Sequence, residues 1–268
     1  MKKYELRLRF PGGRAKALTF SFDDGCVQDI PFVELLNKYG MKGTFNLNSG
    51  DVGCGRVMTE EQIKNLFADG RHEVAVHTLT HPRLDTLPRE IVVNEIFEDR
   101  KNLERMFNRP VRGMAYPFGT GGATDEVIAV AKNCGIVYSR TTQSTRDFDL
   151  PADWLRLHPT CKYDDPNLME IADRFLKERT NDYPRMFYVW GHTYEFDDYK
   201  HWGVIEDFLK RMANREADIW YATNIEIYDY QLAFNRLEFS GLNWNAEGQN
   251  TNSCLTQSKN CKKMGDCS

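Results

Sequence analysis

Residues 16–25 read Lys-Ala-Leu-Thr-Phe-Ser-Phe-Asp-Asp-Gly, a largely apolar stretch that ends in two adjacent carboxylates and a glycine. An apolar run of this length over 16–22 is typical of a buried β-strand. Neighbouring residues of a strand face opposite ways, so Asp23 and Asp24 can converge only if the chain turns there. Gly25 permits such a turn because it lacks a Cβ atom. The stretch predicts a buried strand whose carboxyl end carries charged side chains.

Further strand-like segments alternate with helical patterns along the chain. Strands are predicted over residues 16–22, 43–47, 73–76, 111–116, 136–138, 185–190 and 219–222. Helices are predicted over residues 29–39, 59–70, 88–108, 124–133 and 204–214, and from residue 224 onward. About seven βα units of this length predict an α/β fold with a parallel sheet, most simply a barrel. Chemistry in such barrels lies at the carboxyl ends of the strands, where Asp23, His77 and His192 follow predicted strands.

The composition limits the classes of function. The chain has 268 residues, is 41% hydrophobic and carries a formal net charge of −4. The negative charge and the lack of a basic cluster argue against a nucleic-acid partner, and no apolar run reaches the length of a membrane span. The first residues lack the apolar core of a secretory signal, which predicts a cytoplasmic protein, or a secreted one if a signal has been removed. We expect one domain over residues 1–245 and a polar, flexible tail over 246–268.

Two histidines, His77 and His81, follow the predicted strand at 73–76 with a spacing of i, i+4. Pro82 comes next, which favours a turn at the strand end over a helix interior. Two imidazoles and one carboxylate can form an open metal site, and a second carboxylate can remove a proton from water activated there. Zn²⁺ suits these donors, with Co²⁺, Ni²⁺, Fe²⁺ and Mn²⁺ as alternatives. Each motif alone is more typical of a loop or a structural histidine, but together they favour one divalent metal ion.

These motifs, in this order, resemble the polysaccharide deacetylases of carbohydrate esterase family four, the NodB-homology group. The resemblance covers about residues 15–225 and implies a distorted (β/α) barrel with about seven parallel strands. By position in the family's motifs, it implies that Asp23 is the catalytic base and that His192 is the general acid. It implies three metal ligands: Asp24, His77 and His81.

The family's third motif is looser in this chain and reads Ala115-Tyr116-Pro117-Phe118-Gly119. Family members carry an arginine at the position of Ala115, and that arginine orients the base. Arg112 lies three residues earlier and is the candidate replacement. The resemblance also implies that Tyr116 supports the site and that a backbone N–H near Phe118 helps to hold the oxyanion.

A fourth family motif ends in Asp-Trp and matches Asp153 and Trp154. The resemblance implies that Asp153 holds His192 in its charged form and that Trp154 lines the acetyl pocket. Aromatic and acidic residues after His192 suit a sugar platform, although a surface loop with one packed aromatic is the alternative. The candidate substrate contacts in this segment are Tyr194, Glu195 and Trp202.

The sequence thus predicts a metal-dependent hydrolase that removes acetyl groups from N-acetylated sugars. Its expected partner is an N-acetylated carbohydrate. Two alternatives stay open. One is hydrolysis of another amide or ester, such as an O-acetyl sugar, a formamide or an allantoin-like ring. The other is a sugar-binding protein that has lost catalysis, although such proteins usually lack a ligand or the base, and all of these are present here.

Overall fold

A computed structural model describes residues 7–180 and 183–237. Within these residues the chain forms eight parallel strands in one sheet, in the order β5-β4-β3-β2-β1-β7-β6, with β8 also beside β1. The strands are β1 (Lys16–Asp23), β2 (Thr44–Leu47), β3 (Glu73–Val76), β4 (Gly113–Ala115), β5 (Tyr138–Arg140), β6 (Cys161–Lys162), β7 (Arg185–His192) and β8 (Ile219–Tyr221). Seven strands form one continuous series that curls into the predicted distorted (β/α) barrel.

The same part of the chain forms eight α-helices. They are α1 (Asp29–Lys38), α2 (Glu60–Leu66), α3 (Arg89–Phe107), α4 (Asp125–Asn133), α5 (Leu168–Lys177), α6 (Tyr194–Asp198), α7 (Trp202–Met212) and α8 (Asn224–Asn235). A capping box starts α2, because Thr59 and Gln62 bond each other's backbone N–H groups through their side chains. None of the helices in the described ranges is long and apolar enough to cross a membrane.

The central strand, β1, is buried along its whole length. Its two faces differ because alternate side chains point opposite ways. Phe20 and Phe22 pack in the main hydrophobic core, whereas Thr19, Ser21 and Asp23 make polar contacts inside the curl of the sheet. We call this polar surface the inner face. It brings polar side chains from neighbouring strands opposite one another.

One segment links the two edges of the sheet. Leu157 pairs with Arg140 at the end of β5, and Cys161 pairs with Val189 of β7. This segment includes β6, which the sequence does not predict because two residues show no period. The sequence also does not predict α5, although its buried residues recur at i, i+3, i+4 and i+7. The expected domain boundary at residues 245–246 lies outside the described residues.

Candidate active site

The carboxyl end of β1 brings Asp23 and Asp24 to one place. Asp23 is the last residue of β1 and pairs in register with Asn46 of β2 and His192 of β7. Asp24 has a φ of 77°, in the left-handed region that L-residues rarely adopt. This conformation turns the chain out of the strand while the N–H of Asp24 still donates to the Asn46 carbonyl at 3.0 Å. Both carboxylates therefore lie close to the same histidines.

His77 and His81 lie in a turn after β3, in agreement with the prediction from Pro82. Thr78 and His81 have φ values of 69° and 56°. Left-handed conformations of non-glycine residues cost about 1–2 kcal/mol each, so surrounding contacts must hold the turn in place. The two imidazole rings consequently lie 4.8 Å apart between their centres.

Contacts from two other elements fix the histidine turn. The Glu95 carboxylate of α3 accepts from the N–H and the hydroxyl of Thr80, at 2.9 and 2.8 Å. His77 Nδ1 lies 2.8 Å from the Ala115 carbonyl. Because a carbonyl only accepts, Nδ1 carries the ring proton and Nε2 is left as the coordinating atom.

Three side chains could hold a metal ion: Asp24, His77 and His81 offer ligand atoms within 4.8 Å of one another. Asp24 Oδ1 is 3.6 Å from His77 Nε2 and 3.8 Å from His81 Nε2. Ligand atoms bound tetrahedrally at about 2.0–2.2 Å are separated by roughly 3.4 Å, so the three fit a divalent ion after small shifts. Burial lowers the pKa of His77 despite the nearby carboxylates, which keeps the ring neutral, as a metal ligand must be.

Asp23 lies beside these three ligands and has different partners. Its Oδ2 forms a buried ion pair with Arg140, and its Oδ1 accepts from the Asn46 amide at 2.8 Å. Oδ2 also lies 3.8 Å from His77 Nε2 and 3.9 Å from His192 Nε2. Burial alone would raise the pKa of Asp23, but Arg140 and the two histidines outweigh it and lower the pKa. Asp23 is therefore ionised at neutral pH.

Arg140 is a site residue that the sequence does not predict. It ends β5 and is fully buried, with its guanidinium carbon 4.5 Å from the centre of the Trp190 ring. Asp23 is recognisable in the sequence as a charged residue at the end of a strand. Arg140 has the same feature, but the strand predicted over 136–138 ends two residues before it. The candidate Arg112 lies at the amino end of β4, the opposite end from the site, and pairs with Asp229 at 2.6 Å. The arginine beside Asp23 therefore comes from β5.

His192 ends β7 beside Asp23. Its Nε2 lies 3.9 Å from oxygens of both Asp23 and Asp24, and its Nδ1 lies 3.5 Å from Glu195 Oε1. Lys162 of β6 donates to the same Glu195 oxygen at 2.7 Å. Burial by itself lowers the pKa of His192, but Glu195 and the two aspartates outweigh it and raise the pKa. A histidine of this kind can carry a proton to a leaving nitrogen.

Asp153 and Trp154 lie at a short 3-10 turn and have other partners. The Asp153 carboxylate accepts from the N–H of Leu155, and the Trp154 ring packs 5.3 Å from Tyr228 of α8. The expected contact between Asp153 and His192 is replaced by the contact with Glu195. The reason lies in the topology: the strand beside β7 is β6, and α6 follows β7 directly.

Two aromatic side chains contact different histidines of the site. Phe118 is 60% exposed, and its ring centre lies 4.8 Å from that of His81. Tyr194 lies 5.2 Å from His192, and the Arg56 guanidinium lies 4.8 Å over its ring. Both aromatic rings are therefore placed where a ligand of the site could contact them.

Tyr116 and Trp202 pack mainly against the protein. Tyr116 is buried, and its hydroxyl donates to the Leu155 carbonyl at 2.9 Å. The Trp202 ring lies 4.9 Å from the buried Phe196, and its indole N–H donates to Asp197 at 2.7 Å. Trp202 consequently covers the edge of the core, which differs from the expected sugar platform.

Residues 11–139 match the family model described as polysaccharide deacetylase. This range contains the three-ligand cluster of Asp24, His77 and His81 and the neighbouring Asp23. The match covers just under half of the chain, and over this range the chain resembles the polysaccharide deacetylase family. Both the carboxylate pair and the histidine pair thus lie inside the part of the chain that matches the family model.

Curated proteins are similar to this chain over about half of its length. The provisionally named polysaccharide deacetylase YxkH of Bacillus subtilis (strain 168) is 28% identical over 48% of this chain and 45% of its own. The chitooligosaccharide deacetylase of Rhizobium leguminosarum bv. phaseoli is 27% identical over 53% of this chain and 61% of its own. The chain therefore spans about half to three fifths of the length of these relatives.

Solved structures extend the likeness in fold over most of the chain. The Xyl-CE4 domain of a multidomain xylanase from the hindgut metagenome of Trinervitermes trinervoides has a TM-score of 0.55 and 14% identity, covering 81% of this chain and 91% of that domain. A CE4 family pseudoenzyme from Bacillus anthracis has a TM-score of 0.50 and 16% identity, covering 82% of this chain and 67% of its own. At these identities the likeness concerns the fold alone.

Proposed function

We propose that this protein is a metal-dependent hydrolase that removes acetyl groups from N-acetylated sugars. The observation that carries the proposal is the geometry of one strand-end cluster. Asp24, His77 and His81 form a potential metal site, and Asp23 and His192 lie within 3.9 Å of its atoms. The match to the polysaccharide deacetylase family model supports the same reaction class.

Asp24, His77 and His81 would hold the ion, and two nitrogens with one carboxylate oxygen suit Zn²⁺. Co²⁺, Ni²⁺, Fe²⁺ and Mn²⁺ accept the same donors. A divalent metal bound there would lower the pKa of a coordinated water and polarise the acetyl carbonyl. The neutral ring of His77, with its proton on Nδ1, is in the protonation state that such binding requires.

Asp23 and His192 divide the proton transfers between them. Asp23 Oδ2 accepts a proton from the attacking water, since its carboxylate is ionised and faces both histidines. His192 Nε2 lies across from Asp23 and gives a proton to the sugar nitrogen as the C–N bond breaks. Glu195 stabilises the protonated imidazole. The products are acetate and the free amino sugar.

The decisive experiment is acetate release from N-acetylated mono- and oligosaccharides and from O-acetylated xylan. The protein is first treated with a chelator, and Zn²⁺, Co²⁺ or Ni²⁺ is then restored. Metal-dependent acetate from an N-acetyl sugar is the expected result. Acetate from xylan alone would move the activity to ester hydrolysis, and no acetate with metal bound would overturn the proposal. Asp23→Asn should abolish turnover and retain the metal, whereas Asp24→Asn should lose the metal.

A further inference from the structure

Strand β2 and the residue directly after it carry two buried asparagines that the proposed chemistry leaves unassigned. Asn46 and Asn48 are 0% and 3% exposed. They are two residues apart in extended chain and therefore lie on the same side of it. Burying an amide without hydrogen bonds costs about 1–3 kcal/mol, so the partners of these side chains show what holds them there.

Asn46 bonds to the strand that carries the general base. Its Nδ2 donates to Asp23 Oδ1 at 2.8 Å and to Ser21 Oγ at 2.7 Å. With Oδ1 held by Asn46, the carboxylate cannot rotate freely, and Oδ2 is directed toward His77 and His192, at 3.8 and 3.9 Å. Asn46 thus fixes the orientation of the oxygen that accepts the proton.

Asn48 bonds to the turn that carries the histidine ligands. Its Nδ2 donates to the carbonyl of His77 and, at 3.0 Å, to the carbonyl of Thr78. Thr78 is the residue with a φ of 69°, a strained conformation that must be stabilised from outside. By bonding the carbonyls on both sides of that strained φ, Asn48 holds the backbone between His77 and His81.

We infer that the two asparagines are positioning residues with separate tasks: Asn46 orients the base, and Asn48 holds the metal ligands. This inference rests on the proposed function for the first task, since only a working hydrolase uses Asp23 as its base. The second task is independent of turnover, because ligand geometry decides metal affinity whether or not a substrate is cleaved.

Asn46→Leu and Asn48→Leu are the matched test variants, because leucine has the same number and branching of side-chain heavy atoms and no hydrogen-bonding group. The control is Asn224→Leu, another buried asparagine, which bonds Thr19 and Tyr188. The Zn²⁺ affinity of the metal-free proteins is measured by competition with a chromogenic chelator. The kinetic constants kcat and KM are measured on the N-acetyl sugar that the wild type cleaves. Folding is checked by circular dichroism, and alanine variants replace any leucine variant that does not fold.

We expect one variant to lose kcat and the other to lose Zn²⁺ affinity. Asn46→Leu lowers kcat about 10²-fold, the effect of a misplaced reacting group, and changes the Zn²⁺ affinity less than threefold. Asn48→Leu weakens the Zn²⁺ affinity about 10–100-fold, and saturating metal restores most of kcat. Asn224→Leu lowers stability and leaves both quantities near the wild-type values.

Three results would overturn the inference: equal losses in both asparagine variants, a metal defect in Asn46→Leu, or the same losses in Asn224→Leu. Crystal structures of the variants supply a test without turnover, since the Asp23 carboxylate should rotate in Asn46→Leu and keep its orientation in Asn48→Leu. A wild-type protein that binds Zn²⁺ and cleaves nothing would refute the proposed function alone. The affinity and the crystal structures would then still decide the inference.

Discussion

The guanidinium of Arg140 and the carboxylate of Asp23 form an ion pair in which both side chains are almost completely buried. The pair joins the carboxyl ends of β5 and β1, which are separated by three strands in the sheet. Removing one partner of a buried ion pair leaves an uncompensated charge. Arg140 is consequently tied to the charge state and the orientation of the Asp23 carboxylate.

Replacing Arg140 should therefore reduce both stability and activity. We expect Arg140→Met to lower the free energy of unfolding by about 3–5 kcal/mol and kcat/KM by about 10²-fold, measured by urea unfolding and initial rates. Arg112→Met is the control, since its pair with Asp229 is on the surface and contributes about 0–1 kcal/mol. The opposite ranking of the two variants would show that Arg112 orients the base.

The Glu195 carboxylate should control the pH range in which His192 is protonated. Glu195 raises the pKa of His192, so Glu195→Gln should lower that pKa. Since the reaction needs protonated His192, the alkaline side of the pH–kcat profile should move to lower pH. Glu98→Gln removes an exposed pair with Lys101 and should leave the profile unchanged. An unchanged profile in Glu195→Gln would mean that Glu195 does not act on the acid.

The histidine turn should be sensitive to any side chain at Gly50. A Cβ atom there would lie 2.3 Å from the Leu79 carbonyl oxygen, which forces the turn between His77 and His81 to move. We expect Gly50→Ala to weaken Zn²⁺ binding at least tenfold in a chelator competition. Gly203→Ala has no neighbour within 4 Å of the added Cβ and should bind metal normally. Normal binding by Gly50→Ala would show that the turn tolerates displacement.

Stability should depend on pH through His72. Its Nδ1 accepts the N–H of Gly43 at 3.1 Å, and burial lowers the pKa of His72 to about 4. In the unfolded chain the pKa is about 6.5, so the unfolded state binds more protons between these values. Stability is therefore complete above about pH 6.5 and falls as the pH decreases toward 4, by up to about 3 kcal/mol.

His72→Gln removes this titration, and the fall in unfolding free energy between pH 6.5 and 4 should be smaller than in the wild type. Urea unfolding at half-unit pH steps measures the slope. At pH 8 the variant should be less stable than the wild type, because glutamine cannot reproduce both the Nδ1 contact with Gly43 and the Nε2 contact with Asn37 Oδ1 at 3.1 Å. Parallel slopes for the two proteins would contradict a buried neutral His72.

The two aromatic candidates after His192 should behave differently. Tyr194 lies beside the His192 ring, so Tyr194→Ala should raise KM and change stability little. Trp202 packs on Phe196, so Trp202→Ala should lower the free energy of unfolding by about 1–3 kcal/mol and leave KM unchanged. A raised KM in Trp202→Ala at wild-type stability would restore the predicted sugar platform.

Much of the fold could be read from the sequence because the strands and helices have strong local patterns. β1, β3 and α3 lie within a residue or two of their predicted positions, since their apolar residues recur with the period of the element. The fifth strand was harder to place because β5 has only three residues. Its shift by two residues is what separates Arg140 from the predicted strand end.

The candidate metal ligands could also be predicted, since they come from short motifs in which the residues that act together are close in sequence. Asp23 and Asp24 are adjacent, and His77 and His81 are four residues apart. The residues from distant strands that pair with site residues are not marked by any short motif in the sequence. Arg140 is 117 residues from Asp23 in the chain, and Lys162 is 33 residues from Glu195.

The sequence alone determined most of the element types, the parallel barrel and the presence of carboxylates and imidazoles at strand ends, because these depend on residue type and short-range spacing. The tertiary structure decided which side chains support them. Strand order places β6 beside β7, so that Lys162 of β6 pairs with Glu195, the residue that contacts His192 in the place expected for Asp153. Register places Asn46 opposite Asp23. Contacts of this kind depend on how distant strands align, which a local pattern does not contain.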